Sequence, residues 1–193
     1  MSDKLRNLTV ETLVDKFIKV EKIDCEYKNK NGEWKPMSRE ILVRGDAVAV
    51  LLYDPERRKL LLTRQFRMPV YRNNPEDAMI TEVCAGMLDD NDPETAVLKE
   101  IEEETGFRLS PKDLNKIYEA YSSCGTTTEY LHYFTGRYNL AQQVNKGGGA
   151  QDENEDITVL EWSYEMAIAA MENGEIKDLK MLMLLQYAQM HLF

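Results

Sequence analysis

Three glutamates in one short segment are the residues of this chain best suited to chemistry. Glu100, Glu103 and Glu104 lie in the sequence KEIEEETG, residues 99–106. In a helix each residue turns by about 100°, so these three carboxylates share one face and Glu102 points away from it. Like charges at this spacing repel by roughly 0.2–0.5 kcal/mol per pair, and by more where water is excluded. A divalent cation held by carboxylate oxygens removes that repulsion. The spacing is therefore compatible with a metal site, but the run taken alone favours a solvated acidic surface helix, and the flanking sequence must decide between the two.

The helix that must carry these glutamates is predicted over residues 93–105. Asp92 is a good N-cap residue, Pro93 suits the first helical position, and Gly106 suits the end. An apolar stripe adjoins the acidic face and consists of Val97, Leu98 and Ile101. We expect this stripe to dock the helix so that the carboxylates border the core.

The remaining elements mix strands and helices without regular β–α–β alternation. Strands are predicted at residues 17–27, 34–43, 47–53, 59–66, 79–84, 117–121, 130–138 and 157–162, and two closing helices at residues 164–173 and 177–192. The strand pair at 47–53 and 59–66 is predicted to form a hairpin. This order favours the α+β class, with a mixed sheet between helices, over a doubly wound parallel sheet.

The sequence around the glutamates resembles the Nudix box, whose pattern is Gly, five residues, Glu, seven residues, Arg-Glu-x-x-Glu-Glu-x-Gly and an apolar residue. The second half matches at Lys99, Glu100, Glu103, Glu104, Gly106 and Phe107, with Lys in place of Arg. In the first half the spacing from Gly86 is one residue short, and Asn91 or Asp92 stands where the early Glu belongs. The resemblance implies a Nudix hydrolase with an α/β/α sandwich and an amino-terminal antiparallel strand region.

The resemblance extends over nearly the whole chain, to the nucleotide-sugar and ADP-ribose pyrophosphatase branch of the family. It is carried by Arg39-Glu40, Arg44-Gly45, the segment from Arg64 to Arg67, and the acidic loop 152–157. Cys84-Ala85-Gly86 with the shortened loop, the glycines at 147–149, and Gly174-Glu175-Ile176 followed by Lys180 are most similar to the GDP-mannose pyrophosphatases. The similarity implies hydrolysis of GDP-mannose to GMP and mannose 1-phosphate. Two alternatives stay open: an ADP-ribose pyrophosphatase releasing AMP and ribose 5-phosphate, and a Nudix-like module that binds nucleotides without cutting them.

The same resemblance assigns roles to individual residues. The expected ligands of Mg²⁺, or of Mn²⁺ in its place, are Glu100, Glu104, Glu155 and the backbone carbonyl of Ala85, and Glu103 completes the catalytic face. The general base is expected to be Glu129 for GDP-mannose or Glu153 for ADP-ribose. The residues expected to bind substrate are Arg39, Glu40, Arg67, Gly86, Met87 and Lys180.

Composition narrows the range of partners and settings. The chain has 193 residues and a formal net charge of −10, and its 24 Lys and Arg residues form no cluster, which argues against nucleic acid. The three cysteines stand far apart, as is typical of a reducing cytosol. The first residues contain no continuous apolar run of a signal peptide, and no segment is long enough to span a bilayer. We therefore expect a cytoplasmic protein. The Nudix resemblance further implies a homodimer, with residues 1–45 forming a strand region that dimerises and residues 46–193 forming the hydrolase domain.

Overall fold

The computed structural model describes residues 3–150 and 155–193. The chain divides into two compact units. The first unit contains the amino-terminal region up to Asp46 together with Ala120–Leu131, and the second contains Ala47–Glu119 and His132–Phe193. Each unit is described separately below.

The first unit is built on an antiparallel three-stranded sheet. Its strands are β1 (Leu5–Asp15), β2 (Lys19–Lys28) and β3 (Trp34–Val43), in the order β1-β2-β3. The sequence predicted the second and third strands but not β1. Gly32 has a φ of 84° in the turn before β3, where a side chain would be strained. Every residue of β1 is exposed, including several large apolar ones.

A seven-stranded sheet forms the centre of the α+β fold. The elements that follow in the chain are β4 (Ala47–Asp54), β5 (Lys59–Phe66), α1 (Met68–Asn73), β6 (Met79–Glu82), β7 (Cys84–Met87), α2 (Pro93–Glu100), β8 (Leu114–Tyr121), β9 (Tyr130–Arg137), β10 (Thr158–Ser163), α3 (Tyr164–Glu172) and α4 (Leu179–His191). The strand order is β10-β5-β4-β9-β8, with β6 beside β5 and β7 beside β4. The predicted hairpin of β4 and β5 is confirmed, with Leu52 opposite Leu61.

One predicted strand is divided in the structure. The continuous strand expected at residues 79–84 breaks at Val83 into β6, which pairs with β5, and β7, which pairs with β4. The two parts of this apolar run therefore pair with different strands, the first with β5 and the second with β4. Its consequence for the site is that Ala85 and Gly86 lie in β7, opposite Ala49 and Val48 of β4.

Helices cover both faces of the central strand. In β4, residues 48–52 are fully buried whichever way they point, so neither face is open to water. Val48, Val50 and Leu52 belong to one apolar cluster with Val97 and Ile101, next to the carboxylates. The terminal helix α4 also packs on β4 and buries Met181, Leu184 and Leu185. The sheet is therefore sandwiched between helices, as predicted.

The glutamate-bearing helix changes geometry where the carboxylates lie. Asp92 caps α2 by accepting hydrogen bonds from the backbone N–H groups of Glu94 and Thr95. After Glu100 the helix continues as a π-helical turn over Ile101–Thr105, where an uninterrupted α-helix was predicted. Gly106 then ends it with a φ of 79°. Most π-helix occurs as single turns inside α-helices, and such turns are frequent at functional sites.

Candidate active site

Glu104, in the π-helical turn, is the most deeply buried carboxylate of the predicted cluster. Only 2% of the residue is exposed, and its Oε2 accepts a hydrogen bond from the backbone N–H of Ala85 at 3.3 Å. The Cys84 thiol lies beside this carboxylate and helps to stabilise its charged form. Burial raises the pKa of Glu104 to about 8, and the neighbouring charges of Glu100 and Glu155 act in the same direction. Burial likewise raises the pKa of the Cys84 thiol, and the charge of Glu104 adds to this effect.

Glu100 approaches β7 at a glycine. A Cβ built on Gly86 would overlap the carboxyl group of Glu100, so the side chain occupies the space that any other residue at position 86 would fill. This close approach gives a physical reason for the glycine that the sequence placed at the start of the motif. It also brings the carboxylate of Glu100 beside the backbone of β7.

Glu155 is held near the same cluster by the glycine run. Its Oε2 accepts a hydrogen bond from the backbone N–H of Ala150 at 3.1 Å, and a Cβ on Gly149 would lie 2.6 Å from that oxygen. The N–H groups of Gly148 and Gly149 donate to the carbonyls of Glu104 and Glu103 at 2.9 and 3.1 Å. Gly148 and Gly149 are thus fastened to the π-helical turn.

The other two glutamates of the run are more accessible. Glu103 is half-buried and lies 3.5 Å from the ammonium group of Lys99. Glu102 forms a two-pronged ion pair with Arg108, which lowers the pKa of the Glu102 carboxyl. Glu102 therefore points away from the cluster, as the helical spacing predicted.

Arg67, expected to bind substrate, makes a partly buried ion pair that the sequence did not predict. Its Nε and Nη2 donate to the carboxylate of Glu82 at 3.0 and 2.5 Å, and Glu82 is 5% exposed. Burial opposes the charge of Arg67, but Glu82, Glu104 and Asp178 outweigh this and raise the pKa of the guanidinium. The only signal for Glu82 was a lone acid within an apolar strand, which requires a partner when buried.

Lys180 and Met87 also lie in the second unit. The ammonium group of Lys180 donates to Asp178 at 2.7 Å, and Asp178 in turn caps α4 at the N–H of Met181. Met87 is the half-buried last residue of β7, next to Gly86. The ammonium group of Lys180 is thus bound to the residue that caps α4.

Three of the predicted site residues, Arg39, Glu40 and Glu129, lie in the first unit. Glu129 pairs with Arg44, with 3.2 Å between Oε1 and Nε, and its backbone N–H bonds to the hydroxyl of Thr127. Arg39 donates to the carbonyl of Ser38 at 2.7 Å, and Glu40 is an exposed residue of β3. Glu153, the alternative general base, lies outside the described residues.

The carboxylates have the chemistry that a divalent cation requires. Within the described residues, no three His, Cys, Asp or Glu side chains already form a complete metal-binding group. Two features nevertheless fit a cation: Glu104 is buried with its negative charge disfavoured, and the carboxylate of Glu100 occupies the space left by Gly86. Added positive charge would relieve the repulsion among Glu100, Glu104 and Glu155. The donor set therefore matches a hard, oxygen-binding metal ion.

This fold and this acidic centre agree with comparisons to known proteins. The family model for the NUDIX domain matches residues 43–185. A GDP-mannose pyrophosphatase of Pectobacterium atrosepticum is 42% identical over 188 residues, covering 97% of this chain and 95% of that protein. A GDP-mannose pyrophosphatase of Yersinia enterocolitica is 40% identical over 191 residues, covering 99% and 98%. The chain belongs to the Nudix family and is a Nudix hydrolase, a class that uses divalent metal ions.

A solved structure supports the fold independently. The crystal structure of an ADP compounds hydrolase superposes with a TM-score of 0.71 and 18% identity, covering 97% of each chain. Among the helices in the described part of the chain, none combines the length and apolar character needed to cross a membrane.

Proposed function

We propose that this protein hydrolyses the pyrophosphate bond of GDP-mannose, giving GMP and mannose 1-phosphate. Water adds to one phosphorus and the bridging P–O bond breaks, so the two products together contain the substrate plus one water. The observation that carries the proposal is the cluster of Glu100, Glu104 and Glu155 at the π-helical turn, in which Glu104 is buried. The relatives that span nearly the whole chain are named for this activity.

We assign the metal-binding role to Glu100, Glu104, Glu155 and the carbonyl of Ala85, and we expect the ion to be Mg²⁺, with Mn²⁺ as a substitute. When bound, the ion supplies positive charge that neutralises the phosphate oxygens and acidifies water. Glu103 contributes negative charge on the accessible side of the same turn. Gly86 and Met87 present backbone at the edge of the site.

The phosphates also need cationic side chains. We assign this role to Arg67, whose guanidinium is oriented by two hydrogen bonds to Glu82 and retains donors for a phosphate oxygen. Lys180 is the second candidate, and it must exchange its bond to Asp178 for one to the substrate. Arg39 and Glu40 remain candidate substrate-binding residues contributed by the first unit.

Proton removal from the attacking water requires a base. We propose Glu129, because its ion pair with Arg44 and the hydrogen bonds of its backbone hold the side chain in a defined place. Glu153 is the base to be expected if ADP-ribose is the better substrate. The measured substrate preference therefore decides between Glu129 and Glu153.

We also propose a homodimer formed through residues 1–45, in a cytoplasmic setting. The apolar residues exposed on or beside β1 are Leu5, Leu8, Val10, Leu13, Val14, Phe17 and Ile18. Phe17 is 98% exposed and Val10 is 53% exposed, which favours burial against a second copy. The cytoplasmic setting is supported by Cys25, Cys84 and Cys124, all of which are free thiols.

The decisive experiment is a substrate panel under identical conditions. Purified protein is incubated with Mg²⁺ and GDP-mannose, ADP-ribose, UDP-glucose or ADP-glucose. Alkaline phosphatase then releases phosphate from the monophosphate products but not from the intact substrates. The highest kcat/KM is expected for GDP-mannose. A higher value for ADP-ribose would show that the protein is an ADP-ribose pyrophosphatase instead. If no substrate released phosphate, the protein would be a module that binds nucleotides without cutting them.

A further inference from the structure

A groove of about 420 Å³ lies beside the Arg67–Glu82 ion pair in the second unit. Pro69 and Val70 of α1 and Ile80 of β6 give it apolar walls. Its polar groups come from Asn73, Asp77, Glu82, Lys177 and Asp178. Its volume falls in the range of roughly 300–1,000 Å³ that is typical of small-ligand sites.

The groove is connected to the catalytic centre through two side chains. Glu82 contributes to its lining and holds Arg67 by hydrogen bonds. Arg67 in turn lies close enough to Glu104 and Asp178 for both carboxylates to raise the pKa of its guanidinium. Arg67 is thus bonded to a residue that lines the groove and lies near the buried carboxylate of Glu104. A diphosphate held at Arg67 would have one of its two substituents within reach of this space.

Two polar side chains in the groove are available to a ligand. In residues 3–150 and 155–193, no hydrogen bond or ion pair engages the side-chain amide of Asn73 or the ammonium group of Lys177. The other polar groups are already occupied, since Asp77 accepts from Asn74 and Asp178 accepts from Lys180 and Met181. The groove therefore offers two hydrogen-bond donors, Asn73 and Lys177, beside its apolar side chains.

The residues that line the groove suit the sugar of a nucleotide sugar better than its base. A purine base is normally recognised by stacking on aromatic rings, and no described residue lining the groove is aromatic. Donors and carboxylates beside short apolar side chains instead suit a ring that carries several hydroxyl groups. We propose that this groove binds the sugar of the substrate, with Asn73 and Lys177 as specificity-determining residues. This inference rests on the proposed function.

The test measures binding of each product by calorimetry in the presence of Mg²⁺, so that its outcome does not depend on turnover. Mannose 1-phosphate and GMP are titrated separately into the wild-type protein, N73A, K177A and the double variant. Lys112→Ala serves as the matched control, because Lys112 is an exposed lysine of the second unit away from the groove. In the double variant, affinity for mannose 1-phosphate is expected to fall by about tenfold or more, as the loss of two hydrogen bonds implies. Affinity for GMP is expected to stay unchanged.

Three results would overturn the sugar assignment. Affinity for GMP falling alone would mean that the groove holds the nucleoside. Equal losses for both products would mean that the variants disturb the site in general. Unchanged affinities would remove the groove from substrate binding altogether. Wild-type protein that binds mannose 1-phosphate in a groove-dependent way but does not cleave GDP-mannose would contradict the proposed function and leave the sugar assignment standing.

Discussion

The Cα of Gly86 lies so close to the carboxyl group of Glu100 that a single methyl group at position 86 would displace that carboxyl group. The displaced atoms are the end of a flexible side chain, so the backbone need not move. A substitution at position 86 should therefore affect metal binding but not the stability of the fold, because it moves a proposed metal ligand without opening a cavity.

Gly86→Ala is therefore expected to weaken Mg²⁺ binding by roughly 10–100-fold, the range seen when the surroundings of metal ligands are altered. The free energy of unfolding should change by no more than about 1 kcal/mol. Calorimetric titration with Mg²⁺ and urea unfolding measure the two quantities. Gly125→Ala is the control, since open space surrounds Gly125. Undiminished Mg²⁺ affinity in Gly86→Ala would show that Glu100 does not need its present position.

Glu104→Gln tests the centre of the cluster. The change keeps the shape of the side chain and removes its charge, so turnover should fall by orders of magnitude while the protein stays folded. Steady-state kinetics with GDP-mannose and circular dichroism check the two parts. In the wild-type protein, excess chelator should abolish activity and added Mg²⁺ should restore it. Full activity in the variant would exclude Glu104 as a metal ligand.

The raised pKa of Glu104 predicts that the stability of the metal-free wild-type protein depends on pH, and Glu104→Gln provides the comparison. The pKa of Glu104 rises from its ordinary value of 4.5 to about 8 on folding, so the folded state holds a proton that the unfolded state releases. Wild-type stability should therefore fall as pH rises through this window, by on the order of 2–4 kcal/mol from this residue. Glu104→Gln should lack this component of the loss. Urea unfolding in chelator at pH 5 and pH 8 measures the difference, and parallel pH profiles would refute the expectation.

The ion pair of Arg67 and Glu82 is expected to matter more than an exposed pair. Glu82→Gln should lower the free energy of unfolding by about 1–2 kcal/mol, because it leaves the partly buried guanidinium of Arg67 with a weaker partner. It should also raise KM for the nucleotide sugar, since Arg67 loses its orientation. Glu165→Gln is the control: Glu165 pairs with Arg58 at the surface, where such pairs contribute about 0–1 kcal/mol. Equal effects in the two variants would argue against a positioning role for Glu82.

The exposed apolar residues of the first unit give a prediction about assembly. Val10→Lys combined with Phe17→Ser should convert a dimer to a monomer, because a charge and a polar group replace apolar surface at the proposed contact. Sedimentation equilibrium gives the mass of each protein. Asn31→Lys, in the exposed turn after β2, should remain dimeric. A monomeric wild-type protein, or an unchanged mass in the double variant, would contradict the proposed dimer.

Local signals in the sequence predicted most of the fold. The Asp92 cap, the glycine stop at position 106 and the apolar stripe of α2 each have a local physical cause, and all are present in the structure. The strand β1 was missed because its apolar residues alternate irregularly and none is buried. The short helix α1 spans only six residues, too few for a periodic pattern to emerge.

The candidate site was predictable in its residue types but not in its geometry. The Nudix resemblance drew attention to the glutamates, yet helical spacing alone gave no sign of the π-helical turn or of which carboxylate is buried. Glu104 is buried because of contacts with β7, which is distant in sequence. The partnership of Arg67 with Glu82 joins the start of α1 to the end of β6, and such pairing is set by tertiary packing rather than by local sequence.

The bonds from Gly148 and Gly149 to the carbonyls of Glu104 and Glu103 join segments more than forty residues apart. The two glycine amide protons are consequently natural reporters for nuclear magnetic resonance. Their exchange with deuterated solvent requires the glycine segment to separate from the helix end. Slow exchange at these two amides would signal an assembled centre, and a mutation that accelerates it would identify a residue needed for assembly rather than for chemistry.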